Sequence, residues 1–352
     1  MNNLDEKSIG QKNIKTQNEY SPGEITADLF VKAPLDPKMS EEIGTPPISF
    51  WKEAFQRLAK NKGSMISLVL LVLLIGLAII GPGLNEFTYR GQNIEHSNLP
   101  PKVQGLEWMG FDGKDSKGVN QYSEREIQTN YWFGTDEFGR DIWTRVWKGT
   151  QISLFIALVA ALLDLIIGVI YGGISSFYGG KVDNAMQRII EVLMGIPNLI
   201  VIILFILILE PGVRSIILAM IITGWVGMAR VVRGQVLQLK GQEFVLASRT
   251  LGATNPRLIW KHLLPNVMGP IIVTVMFTIP TAIFFEAFLS FIGLGLQAPL
   301  ASLGVLIEDG YKSMRYFSYK LIYPALVISI VMICFNLLAD GLRDALDPRM
   351  RK

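Results

Sequence analysis

The chain has 352 residues and a formal net charge of +3, with half of its residues hydrophobic and 18% charged, against about 25% charged in soluble domains. Its mean hydropathy of +0.36 points to a membrane protein, and so small a net charge gives no reason to expect a nucleic-acid partner. The single cysteine, Cys334, sits in an apolar run and the two histidines, His96 and His262, stand far apart, so neither a disulfide framework nor a metal centre is expected.

Residues 1–48 mix Lys, Asp, Glu, Asn and Pro without an apolar core, which argues against a cleavable signal peptide and for a polar cytoplasmic tail. Residues 49–62 then place Phe50, Trp51, Ala54, Phe55 and Leu58 on one helical face, with Lys52, Arg57, Lys60 and Lys62 around it. That is the pattern of an amphipathic helix in the membrane interface. Residues 63–85 are uncharged, long enough as helix to cross a bilayer. A long loop, 86–148, separates this first span from a core, 149–340, in which five more are expected: Gly149–Gly180, Val192–Leu209, Ser215–Ala229, Leu263–Phe285 and Leu321–Ala339. Pro197 falls inside the third span and is expected to be tolerated there through neighbouring helices. Residues 341–352 form a short second tail.

Basic residues set the expected orientation. Arg230, Arg233, Lys240, Arg249, Arg257 and Lys261 crowd the connection between spans four and five, opposed only by Glu243. Further cations precede span one and follow span six. With six spans all three regions share one side, and the positive-inside rule makes it cytoplasmic, both termini included.

That connection, Glu243–Pro265, is polar and rich in small residues. Phe244, Ala247 and Leu251 recur at helical spacing, and Gly252 stands where a helix ends in a left-handed turn. Asn255-Pro256 reads as a cap and first position of a second helix running to Pro265. Two short helices at a glycine turn make a knob that fits another protein's groove; an ordinary loop is the alternative.

The segment resembles the EAA loop of ATP-binding-cassette (ABC) importer permeases. Leu246-Ala247-Ser248 stands at the triplet, Gly252 falls in register and Leu264-Pro265 closes the pattern, although the triplet lacks its glutamate and His262 replaces an isoleucine. The string Phe133-Gly134-Thr135-Asp136-Glu137-Phe138-Gly139-Arg140-Asp141 is similar to the FGTDxxGRD motif of the oligopeptide, dipeptide and nickel branch of that family. Glu286–Gly295, Pro299–Gly304 and Asp344–Pro348 also look like that branch. Together these cover the chain from Ser49 onward except for an insertion near 96–128. Within the branch the chain looks most like the second, C-type permease subunit of bacterial oligopeptide importers.

The resemblance implies an all-α integral membrane protein of the type I importer permease fold, with six transmembrane helices, in the bacterial cytoplasmic membrane. It implies three kinds of partner: a homologous second permease, two ABC ATPase subunits and an extracytoplasmic peptide-binding protein. The docking residues would be Glu243, Ala247, Ser248, Arg249, Gly252, Leu264 and Pro265. No G-x-x-x-x-G-K-[ST] stretch is present to cradle ATP phosphates and no nucleophile–base constellation has workable spacing. The chain is therefore expected to bind no cofactor and to be no enzyme, with ATP used by its partners. The expected solute is an oligopeptide, ahead of dipeptides or nickel. An ion-coupled secondary transporter would need several midplane ionisable residues and inverted repeats, and only Asp164 lies centrally; a signalling protein would need a soluble output domain.

Two carboxylates are candidates for the path or its gate. Asp164 is expected to face protein, as an acid hydrogen-bonded to a neighbouring helix, or to line the path. Glu286 is placed at the outer end of span five, which Pro270 and Pro280 are expected to bend. It either pairs with Lys312 or Arg315 or meets the amino terminus of an entering peptide. Trp132, Trp143 and Trp147 read as interfacial anchors.

Overall fold

Helix α1 (Phe50–Lys60) leads into α2 (Lys62–Ile80), capped by the Asn61 side chain, which accepts from the Ser64 N–H at 3.2 Å. The computed structural model describes residues 50–297 and 299–346; the 1–48 tail and the Asp347–Lys352 end lie outside them. Ala54 and Leu58 of α1 are buried while Trp51 and Phe55 are exposed. Leu58 lies beside Gly341, so part of the apolar face expected to lie in lipid packs on the last helix instead.

After the loop, which holds the one-turn helix α3 (Gln121–Glu124), comes α4 (Ile142–Tyr178). Its 37 residues span about 55 Å, far more than the ~30 Å of a hydrocarbon core, so it begins inside the expected loop and projects beyond the bilayer. Next come α5 (Gly180–Gly195), α6 (Asn198–Leu209) and α7 (Val213–Leu239). The core is completed by α11 (Met268–Phe291), α12 (Leu303–Ser313) and α13 (Tyr319–Leu346). Five helices, α2 with its terminal turn, α4, α7, α11 and α13, are long and apolar enough to cross a membrane, and a sixth crossing arises if α5 and α6 count together.

The α5–α6 pair corrects the expected third span. The backbone bends by 81° between Gly195 and Asn198, so Val192–Leu209 is not one helix. Proline lacks an N–H and forces its predecessor toward extended geometry, and Ile196 indeed adopts φ −99, ψ 127. By contrast α11 runs unbroken, with Pro270 in its first turn and Pro280 inside it.

The core forms where small residues let helices approach. Along α4, Ala157, Ala160, Ala161, Asp164, Gly168 and Gly172 are buried at helical spacing. A side chain at Gly168 would strike Met228, and one at Gly172 the carbonyl of Ala229, so these positions set how closely α4 and α7 pack. Ser64 on α2 donates to the Leu337 carbonyl at 3.1 Å and fixes α2 against α13. Among the described residues the loop 86–141 contains isolated β-bridges but no strand; Leu99, Tyr122 and Tyr131 form a small core of its own, with Phe87 stacked on Tyr131 at 4.4 Å.

Candidate coupling loop, gate and path residues

Glu243–Thr250 forms helix α8, and Gly252 follows its C-cap with φ +83. The Ala253 N–H donates to the Ser248 carbonyl at 3.1 Å and the Gly252 N–H to Arg249 at 3.0 Å, the paired bonds of a Schellman turn. The second helix starts one residue earlier than expected, with Thr254 as N-cap, Asn255 first and Pro256 second. It runs as α9 (Asn255–Arg257), a π-helical turn (Leu258–Leu263) and α10 (Leu264–Asn266), so Pro265 lies inside the element rather than ending it.

Opposite faces of this knob meet different surroundings. Val245, Leu258, Leu263 and Leu264 are buried against Phe177 of α4 and Val232 and Val236 of α7. Arg249 stands 5.8 Å over the Phe177 ring. Nearby, Arg233 grips Asp183 through two bonds of 2.7 and 2.6 Å, and Lys240 donates to the Ser176 carbonyl at 2.9 Å. The other face is open: Phe244 and Leu246 are exposed, Leu251 is 88% exposed, and Glu243 and Ala247 are exposed on the same short helix, while Pro265 is exposed beside Leu165 and Met268. Ser248 turns its hydroxyl back to the Phe244 carbonyl at 2.8 Å. The spacing of Phe244, Ala247 and Leu251 thus marked the outward face, whereas Leu264, expected among the docking residues, is turned inward with Val245; Val245 escaped the pattern because one residue on a short helix has no period.

Asp164 is only 6% exposed, midway along α4, pressed against Gly224 of α7 where a Cβ would meet its carboxylate. The hydrogen bond to a neighbouring helix is not found among the described residues: the carboxylate abuts helical backbone whose N–H groups are already committed, and Oδ1 has no partner. It borders a groove of about 330 Å³ together with Asn198, Thr223, Thr274 and Thr278.

Glu286 departs from both expectations. It is fully buried and accepts from the Ser153 hydroxyl at 2.7 Å and the Ser290 hydroxyl at 2.9 Å. Lys312 pairs with Glu308 at 2.6 Å instead. Five residues short of the end of α11, Glu286 points at α4 rather than solvent, and the Ser153 hydroxyl also accepts from the Leu303 N–H at 3.2 Å. It clasps α4, α11 and the start of α12.

At the same end, Phe133–Asp141 builds a buried ionic knot. Asp136 accepts from Arg140 at 2.6 Å and Arg145 at 2.9 Å, and also from the Phe138 and Arg140 N–H groups. Arg145 is 2% exposed and reaches Asp309 of α12 at 3.6 Å. Asp141 caps α4 by accepting from the Thr144 N–H at 2.8 Å; burial raises its carboxyl above the usual range, opposed by donation from Thr144 and Asn85. The interfacial role expected of the tryptophans does not describe Trp147, which is buried against Gly81; Trp143, partly buried, donates to the Gly81 carbonyl at 2.8 Å. The i, i+4 spacing of Asp136 and Arg140 was a visible signal for the knot; Arg145 and Asp309 were joined to it only by folding.

Residues 164–352 match the model of the binding-protein-dependent transport system inner membrane component, and residues 49–101 match the N-terminal TM domain of oligopeptide transport permease C. The oligopeptide transport system permease protein OppC of Bacillus subtilis (strain 168) is 46% identical over 93% of this chain and 99% of its own length. The dipeptide transport system permease protein DppC of the same organism is 45% identical over 94% and 95%. OppC of Escherichia coli (strain K12) is 36% identical over 89% and 95%. Among solved structures, one of the inward facing MetNI methionine ABC transporter aligns over 58% of this chain and 96% of that chain, at 20% identity and a TM-score of 0.48. With its multiple apolar helices and matches from both ends of the described structure, the chain belongs to the binding-protein-dependent inner membrane components, the permease family of ABC importers.

Proposed function

We propose that this chain forms half of the translocation path of an ATP-driven peptide importer and couples that path to a separate ATPase through residues 243–265. The observation that carries the coupling is the two-sided knob. One face is buried on the ends of α4 and α7, while the other presents Phe244, Leu246 and Leu251, all exposed among the described residues. An exposed apolar cluster at a rigid turn suits a protein groove. A push on that face reaches two core helices directly, so ATPase closure would be felt by the path as a helix movement. ATP does useful work here only through its different affinity for the two states.

The remaining partners in this reading are a homologous second permease and an extracytoplasmic binding protein that delivers solute. Hydrolysis belongs to the ATPase chains. Oligopeptides are the first solutes to test and dipeptides the comparison, since relatives named for each are 46% and 45% identical. The basic residues near the knob support a cytoplasmic placement for it and for both termini, with the 86–141 loop outside.

The test is reconstitution in vesicles with the partner subunits. ATP-dependent uptake of a labelled peptide is expected for the wild type, and Leu251→Asp is expected to abolish uptake and ATPase co-purification together. Uptake unaffected by that change would refute the coupling assignment. Orientation is checked separately: cysteine at Asn120 should react with an impermeant thiol reagent on intact cells and cysteine at Thr254 should not.

A further inference from the structure

The groove beside Asp164 has a chemistry of its own. It lies between α4, α7 and α11, near the middle of the last two, and Asp164 is the sole ionisable group bordering it among the described residues. Thr274, Thr278 and Thr281 stand along it on α11, and each commits its hydroxyl proton to a carbonyl one turn back, those of Pro270, Thr274 and Phe277, at 2.8, 3.0 and 2.8 Å. A hydroxyl whose proton is so engaged offers only lone pairs to the groove. Thr223 likewise donates to Asn198 Oδ1. The rings of Phe277 and Phe285 complete the wall. Apart from the Asn198 amide N–H groups, the polar side chains therefore present acceptors, among apolar neighbours, around a carboxylate that no cation balances among the described residues. The α5–α6 break opens onto the same space through Asn198, and irregular backbone at membrane depth is tolerated where it lines a cavity.

We propose that Asp164 and the α11 threonine oxygens form a binding point for a primary ammonium group. That this group is the α-ammonium of a peptide in transit rests on the peptide-import reading above. An ammonium ion has three donors and a positive charge, matching a site with one carboxylate and several hydroxyl oxygens. The site would hold the leading amino terminus midway, where otherwise no water-like environment exists for a charge.

Thiol chemistry tests the site without requiring transport. In the full chain carrying Cys334→Ala and Thr281→Cys, modification by 2-aminoethyl methanethiosulfonate, whose head is a primary ammonium, is compared with that by the anionic sulfonatoethyl reagent, each rate divided by that of a free small thiol. The cationic reagent is expected to be favoured by about tenfold or more, as in clefts of a single charge sign, and Asp164→Asn is expected to bring the ratio near one. A ratio near one with Asp164 present, a high ratio that Asn leaves unchanged, or a cysteine that never reacts would each overturn the proposal. In the assembled transporter, Asp164→Asn is expected to lower uptake of a free-amino peptide several-fold more than that of its N-acetylated form. Equal losses would overturn the assignment of the ammonium to the peptide terminus. Absence of any peptide uptake in the wild type would instead count against the import reading, and the labelling ratio would still decide the ammonium site.

Discussion

The two ends of the bundle present their motifs in opposite ways. At the end holding Phe133–Asp141, the motif turns inward: Asp136, Arg140 and, just beyond it, Arg145 are 8%, 5% and 2% exposed and are ion-paired through Asp136. At the end holding Glu243–Pro265, the motif turns outward, with Leu251 88% exposed on a helix whose back is anchored by Val245. Charges that are buried need partners within the chain, so the first motif is completed by its own fold. Apolar side chains left in the open are completed by something else. Sequence motifs can thus mark a structural clasp or a contact surface, and burial separates the two.

Disrupting the clasp should have the largest effect. Asp136→Ala leaves two arginines buried without their carboxylate, a loss of about 3–5 kcal/mol, read as the shift in reversible unfolding in mixed micelles. A change within ~1 kcal/mol would mean that water reaches the knot and that the ends differ less than their burial suggests. The glycines sharpen the contrast next. Gly139 and Gly252 both have positive φ, +68 and +83, but a Cβ on Gly139 would strike the Asn93 carbonyl while one on Gly252 meets open space. Gly139→Ala should therefore cost clearly more than Gly252→Ala, for which about 1–2 kcal/mol of left-handed backbone strain is expected. Equal losses in the same assay would remove packing from the explanation. On the inward face of the knob, Val245→Ala removes two buried methyl groups, a cost of about 1–3 kcal/mol on the hydrophobic transfer scale, and should loosen α8, seen as faster hydrogen exchange across 243–250. The smallest stability effect belongs to Leu251→Ala, within about 0.5 kcal/mol as for other surface changes, while ATPase co-purification falls sharply. A stable variant that still holds the ATPase would leave Leu251 a bystander.

Several of these features were legible in the residues. Gly252 after the last periodic position required a left-handed turn, and the turn is there with both of its hydrogen bonds. The apolar runs located the crossing helices but not their ends, since α7 continues ten residues beyond its run and α4 starts seven before its own; at Val192–Leu209 composition read as one span and Pro197 produced two helices. Hydropathy averages over a window and cannot register a change of direction within it. Glu286 shows the same gap between local pattern and outcome. Its position near a helix end read as exposed, but Ser153, 133 residues away in sequence, meets it in the core.

The sequence by itself determined the membrane class, the approximate spans, the turn at Gly252 and the family likeness, because each rests on local composition, spacing or backbone preference. Only the tertiary structure decided that Asp136 would hold Arg145, that Glu286 would face Ser153, and that Asp164 would meet Gly224 and a groove lined by threonines. The Glu286 and Asp164 outcomes depend on how closely α4 approaches α11 and α7. That approach is set by small residues on different helices acting together, and no window along the chain contains both sides of such a contact.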